Sequence, residues 1–231
     1  MRCRRSRNPV PPSDGRHLLL NWQVRYALEN LAKQTRSTAK HVEGELILIA
    51  TQDRPDVLAV ISAAHEIDQV TAVNYKKQYP ALDFLCGYRS TCVWHGNAIQ
   101  FLEDTGLGWG TFATLSSAAL DGNANTASHK VYKFADRLLR QYGRVKEVIR
   151  DYDRIHRVSL KSGTSVRIGM IAEYEPTADA VRTLWERFGP IDIVWNINPN
   201  GSPSPEAIDA GQELGCEVMK WDRLKEYLRT A

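Results

Sequence analysis

The sequence lacks the features that announce several protein classes. Its four cysteines, Cys3, Cys86, Cys92 and Cys216, include no CxxC pair. That spacing argues against a zinc cluster and for buried free thiols. No apolar run approaches the ~18 residues of a membrane span. No apolar core follows the basic start Met1–Arg7, so no secretory leader is expected and the reading is a cytoplasmic protein. No GxGxxG or GxxxxGK[ST] loop is present, which removes the standard phosphate cradles. His65, His95, His129 and His156 are scattered, and no Ser/His/Asp or Cys/His set assembles from spacing.

Net charge is also scarce, at +3 over 231 residues, but it is uneven. Residues 1–16 hold five Arg against one Asp, and residues 129–167 hold eleven Lys or Arg against four acids. A chain with one strongly basic segment has either an anionic partner or a solvated basic face.

What is present reads as α/β. Residues 1–16 are too poor in apolar groups to offset ordering entropy and read as a disordered basic tail. Residues 17–121 read as an N-terminal α/β half and 122–231 as a C-terminal one. Helical spacing runs from Leu18 to Gln34, from Pro55 through Val57, Ile61 and Ala64, and from Ala98 to Gly106. Glu45–Thr51, Leu82–Tyr88 and Trp109–Leu115 read as strands, while 69–80 is ambiguous. The clearest helix follows 121–128, with Val131, Phe134, Ala135, Leu138, Leu139 and Tyr142 as its apolar stripe. Strands Val145–Arg150, Arg154–Leu160 and Ser165–Ala172 follow, the last pair joined by a Lys161-Ser162-Gly163 turn. Thr177 and Ser204 cap two further helices around a strand Ile191–Asn196, and Cys216–Trp221 is a last strand before a final helix. Unalternated apolar runs are those of strands buried on both faces. The expected fold is therefore a mostly parallel central sheet flanked by helices, containing Glu45–Thr51, Ser165–Ala172, Ile191–Asn196 and Cys216–Trp221.

The halves also look related. Leu82–Gly106 and Ile191–Gly215 align without a gap at an offset of 109, with Asp83 on Asp192, Ala98-Ile99 on Ala207-Ile208 and Gly106 on Gly215. Ile49-Ala50 before Pro55 resembles Ile171-Ala172 before Pro176, with a one-residue slip. Any two strand–helix–strand units share these periodicities, so duplication and coincidence both remain open.

Three motifs can carry chemistry. Lys130, Lys133, Arg137, Arg140 and Arg144 recur along one helix face, with Arg154 and Arg157 in the hairpin region after it. Cations held on one rigid surface suit nucleic-acid phosphates, and the competing reading is a solvated helix face. Glu173-Tyr174-Glu175 ends a buried strand, where α/β proteins place ligands. With Asp151 and Asp153 from a neighbouring strand these acids could hold Mg²⁺ or Mn²⁺, or simply favour a helix N-terminus. Asn198-Pro-Asn-Gly201 could cradle an anion or be an ordinary turn.

From Asn125 onward the order is helix, strands ending in a hairpin, an acidic strand end, then helix–strand–helix–strand. This order resembles the core of the PD-(D/E)XK nuclease superfamily. The resemblance implies a metal-dependent phosphodiesterase, or a binding-only relative, with Asp151 or Asp153 as the first metal acid and Glu173 as the second. Catalysis would then rest on Asp153, Glu173 and Glu175. The family expects a lysine, or sometimes Gln or Glu, two residues after the second acid, and Glu175 stands there, as a variant or as a sign of lost activity. Two other readings compete: a small-molecule enzyme or sensor using the Asn198–Gly201 loop for a phosphate or nucleotide, and a protein-interaction module that uses the basic stripe.

Overall fold

The computed structural model describes residues 20–231; the basic segment 1–16 lies outside them. The first half runs α1 (Trp22–Leu31), β1 (Ser37–Glu43), β2 (Leu46–Thr51), β3 (Val57–Ser62), β4 (Glu66–Ile67), α2 (Gln69–Gln78), β5 (Phe84–Gly87), β6 (Val93–Trp94), α3 (Gly96–Asp104), β7 (Gly108–Gly110) and α4 (Phe112–Asp121). The second runs α5 (Lys130–Gln141), β8 (Val145–Tyr152), β9 (Ile155–Leu160), β10 (Ser165–Ile171), α6 (Ala178–Phe188), β11 (Ile193–Asn196), α7 (Pro205–Glu213), β12 (Glu217–Met219) and α8 (Trp221–Thr230).

The strands form two five-stranded sheets, ordered β1-β2-β3-β5-β7 and β12-β11-β10-β9-β8. The small pair β4-β6 stands beside the first. Neither large sheet is mostly parallel, and Glu45–Thr51 does not share a sheet with the C-terminal strands. Each sheet has a three-strand antiparallel meander followed by two parallel additions. The cause is connection length. Short turns between β1, β2 and β3, and between β8, β9 and β10, allow only antiparallel pairing, whereas the later strands are reached through helices. Helices cover both faces. Around the first sheet, α1 and α4 close over Ile47, Ile49 and Phe84, while α2 and α3 close over Val60 and Leu85. Around the second, α5 and α8 cover Val158 and Ile168, while α6 and α7 cover Ile155 and Val194.

Element positions repeat along the chain. Phe84–Gly87 and Ile193–Asn196, Gly96–Asp104 and Pro205–Glu213, and Phe112–Asp121 and Trp221–Thr230 all stand 109 residues apart. The registers repeat too: Ala59 opposite Phe84 becomes Ile168 opposite Ile193, and Leu46 opposite Val60 becomes Ile155 opposite Gly169. Asp83 accepts from the Leu58 amide at 2.8 Å, and Asp192 accepts from the Arg167 amide at 2.7 Å. On this alignment β10 corresponds to β3. The expected match of Ile171-Ala172 with Ile49-Ala50 is therefore wrong, because Ile49-Ala50 lies one strand earlier, in β2.

Candidate functional site

Of the acids expected to hold a metal, Asp151 and Asp153 are paired with guanidinium groups. Asp153 does not begin a strand; it sits in the turn between β8 and β9, and on the β9–β10 register it falls opposite Ile171 rather than Glu173. Asp153 is buried and bonded to Arg154, Nη2 to Oδ2 at 2.7 Å. Burial works against the Arg154 charge, but Asp153 more than offsets this and raises its pKa. Asp151 lies at a β8 bulge, 2.9 Å from Arg157 Nε and 3.6 Å from Arg167 Nε. Glu173 and Glu175 are exposed beyond the end of β10. Among the described residues no group of three or more His, Cys, Asp or Glu side chains is arranged to hold a metal ion. With both aspartates occupied by arginines, these residues do not fit a shared Mg²⁺ or Mn²⁺.

Glu173 and Arg154 do meet at one place, a crevice of about 550 Å³ over the end of β10 that Tyr132, Thr177 and Arg187 also line. The corresponding place in the first half holds a polar network instead. Glu45 accepts from Gln23 at 2.7 Å and from the Tyr75 hydroxyl at 2.6 Å, and Tyr75 meets Ser62 at 3.0 Å. Burial, then the bond to Glu45, pushes the Tyr75 phenol well above its usual range. The Asn198–Gly201 loop is turned inward. The Asn198 amide donates to Ala172 O at 3.1 Å, its Oδ1 accepts the Asn200 N–H, and Lys220 donates to Asn198 O. Gly201 lies so close to the Tyr174 carbonyl that a Cβ would overlap it. The polar groups of Asn198 are spent on the fold.

The basic stripe separates into inner and outer cations. Arg140 turns toward β8, donating to Asp136 at 2.8 Å and to Val148 O at 2.9 Å. His156 and Arg150 converge on the same carboxylate, at 3.0 and 3.4 Å. Arg154 faces the crevice, and Arg157 is exposed but paired with Asp151. Lys130 approaches Asp121 at 3.5 Å. Lys133, Arg137 and Arg144 are exposed and make no ion pair with the described residues.

Among these outer cations stands Phe134, 55% exposed. Sequence spacing placed it in the core stripe. The buried residues of α5 are Ala135 and Leu139, one position further on, with Tyr132 and Tyr142 half-buried. Lys130, Lys133 and Arg137 surround Phe134 at helical spacings i−4, i−1 and i+3. No sequence signal marks this: residues 131, 134, 135, 138 and 139 have the i, i+3, i+4, i+7, i+8 spacing of an ordinary buried stripe, and it is the docking of α5 on Ala135 and Leu139 that leaves Phe134 in water.

Against protein-family models, curated proteins and solved structures, the chain matches none.

Proposed function

We propose that the chain is a nucleic-acid-binding protein whose two α/β halves descend from one duplicated unit, the C-terminal half with a nuclease-like order of elements, and that it binds without cleaving. The observation that carries the reading is the outer face of α5, where Phe134 stands exposed among Lys130, Lys133 and Arg137. Cations on a rigid helix release counterions from phosphates, and the exposed ring beside them adds apolar contact surface to the same face. The repeated registers and the constant offset support duplication. The pairing of Asp153 with Arg154 and of Asp151 with Arg157 favours binding over metal-dependent cleavage.

The test is affinity for a short DNA duplex measured by fluorescence anisotropy across salt concentrations. Wild-type affinity should fall steeply with salt. The triple variant Lys133→Ala/Arg137→Ala/Arg144→Ala should bind more weakly whatever the sequence, and its log–log salt slope should flatten by about 0.9 for each phosphate it no longer neutralises. No cleavage of the DNA should accompany binding in Mg²⁺ or Mn²⁺. A triple variant that binds like wild type would sink the reading.

A further inference from the structure

The first half carries an aromatic surface that the α5 face does not involve. Trp22, which opens α1, is 42% exposed, and Tyr26, one turn on, is 45% exposed. Their ring centroids lie 6.3 Å apart. Trp22 meets Tyr88 edge-on at 5.7 Å, and Tyr88 meets Phe112 at 5.5 Å. Tyr88 and Phe112 are half-buried and rooted on the core beneath α1 and α4, so the outer rings stand on a fixed base. The helix does not need its outer rings for packing, since its buried stripe is Val24, Ala27 and Leu31.

Position adds a second argument. Tyr88 directly follows β5 and Phe112 starts α4 just after β7. The cluster therefore lies across the C-terminal ends of parallel strands, where open α/β sheets bind ligands.

Charge supplies a third. The Arg89 guanidinium lies over the Trp22 ring at 5.3 Å and that of Arg25 over Tyr26 at 5.2 Å. Arg25 also approaches Glu29 at 4.0 Å, whereas Arg89 donates to the Ala63 carbonyl and pairs with no carboxylate among the described residues. Aromatic faces interleaved with arginines match unpaired bases joined by phosphates. A duplex hides its base faces, whereas an unpaired strand offers a flat ring with each phosphate.

We propose that Trp22, Tyr26, Tyr88 and Phe112, with Arg25 and Arg89, form a base-stacking platform for single-stranded nucleic acid. None of these six residues belongs to the α5 face, and the test of the platform does not rest on that face.

The experiment measures binding of the full chain to a fluorescent oligothymidylate of about 20 nucleotides and to a duplex of similar length. It compares wild type, Trp22→Ala/Tyr26→Ala, Trp22→Phe/Tyr26→Phe and the α5 triple variant. The alanine pair should weaken single-strand binding by about tenfold or more and leave duplex binding within about twofold, because each base stacked on an aromatic ring contributes substantially. Its salt slope should stay that of wild type, since stacking releases no counterions. The phenylalanine pair should recover most of the affinity, which separates stacking from a folding defect. An alanine pair that binds oligothymidylate as tightly as wild type overturns the platform. So does an alanine pair that turns a dimeric chain monomeric at unchanged oligonucleotide affinity, which would make the surface a self-association face. In either case the α5 reading is judged by the triple variant alone.

Discussion

His156 is fully buried between α5 and the second sheet, with Nε2 on Asp136 and no hydrogen-bond partner for Nδ1 among the described residues. Burial lowers its pKa, Arg150 and Arg140 lower it further, and the bond to Asp136 opposes them without prevailing. Asp136 is itself held well below the carboxylate range: burial raises it, but the bonds from His156 and Arg140 and the charge of Arg150 outweigh burial. The signs follow from linkage. An unfolded histidine takes up its proton near pH ~6.5, before the folded one, so stability is complete above that pH and falls as pH drops through it. The Asp136 contribution is present above its unfolded pKa of about 3.9 and is lost below it. Urea unfolding should therefore show wild type less stable at pH 5 than at pH 7, and His156→Gln should flatten that difference. An unchanged pH dependence in the variant would place the effect elsewhere. None of this was legible in the sequence. Asp136 lies twenty residues from His156, and only the docking of α5 over β9 brings them together.

Elements were read well where punctuation was strong and poorly where one pattern fits two structures. Thr177, Ser204 and Pro205 mark α6 and α7 as expected, because caps and a first-turn proline act locally. Val57, Ile61 and Ala64 read as helix, but this segment is β3, whose β-branched residues pair with β2 as soon as the 52–56 turn brings them back. Trp109–Leu115 read as a strand, yet β7 stops at Gly110 and Thr111 caps α4 by accepting from the Thr114 amide. β1 passed unnoticed because edge strands carry polar residues and hide their period. On α5 the corrected face makes a direct prediction. Leu139→Ala removes a fully buried side chain and should cost roughly 2–5 kcal/mol. Phe134→Ser should change stability by less than about 0.5 kcal/mol while weakening nucleic-acid binding. Chemical denaturation beside anisotropy separates the two; a large stability loss at Phe134 would return that ring to the core.

At the scale of the whole chain the common spacing of elements in the two halves is half legible in the sequence. Leu82–Gly106 against Ile191–Gly215 stood out because no residue is inserted between them, while α1 and α5 stand 108 rather than 109 residues apart at their buried positions Ala27 and Ala135. The extra residue is absorbed by the bulge between Val145 and Glu147 at the start of β8, which no periodicity count can place. The halves then meet backbone to backbone. His95 bridges Tyr152, the Asp153 amide donates to Trp94 O at 2.9 Å, the Trp109 amide donates to Ala127 O at 2.9 Å, and Arg187 donates to Thr91 O. Gly96, the first residue of α3, lies against the Arg150 carbonyl so closely that a Cβ would overlap it. β8 cannot retreat, because Arg150 is in register with His156 on β9. Gly96→Ala should therefore part the halves rather than deform either, at a cost of about 1–3 kcal/mol. In calorimetry the wild-type chain should unfold in one transition, and the variant should resolve into two as each sheet melts on its own core. Gly143→Ala is the control: a Cβ there meets nothing within 4 Å, so it should leave the transition single and shift it little. A Gly96→Ala chain that melts like wild type would mean that the junction yields, and that the halves communicate through side chains such as the Arg150–Glu103 pair at 3.3 Å instead.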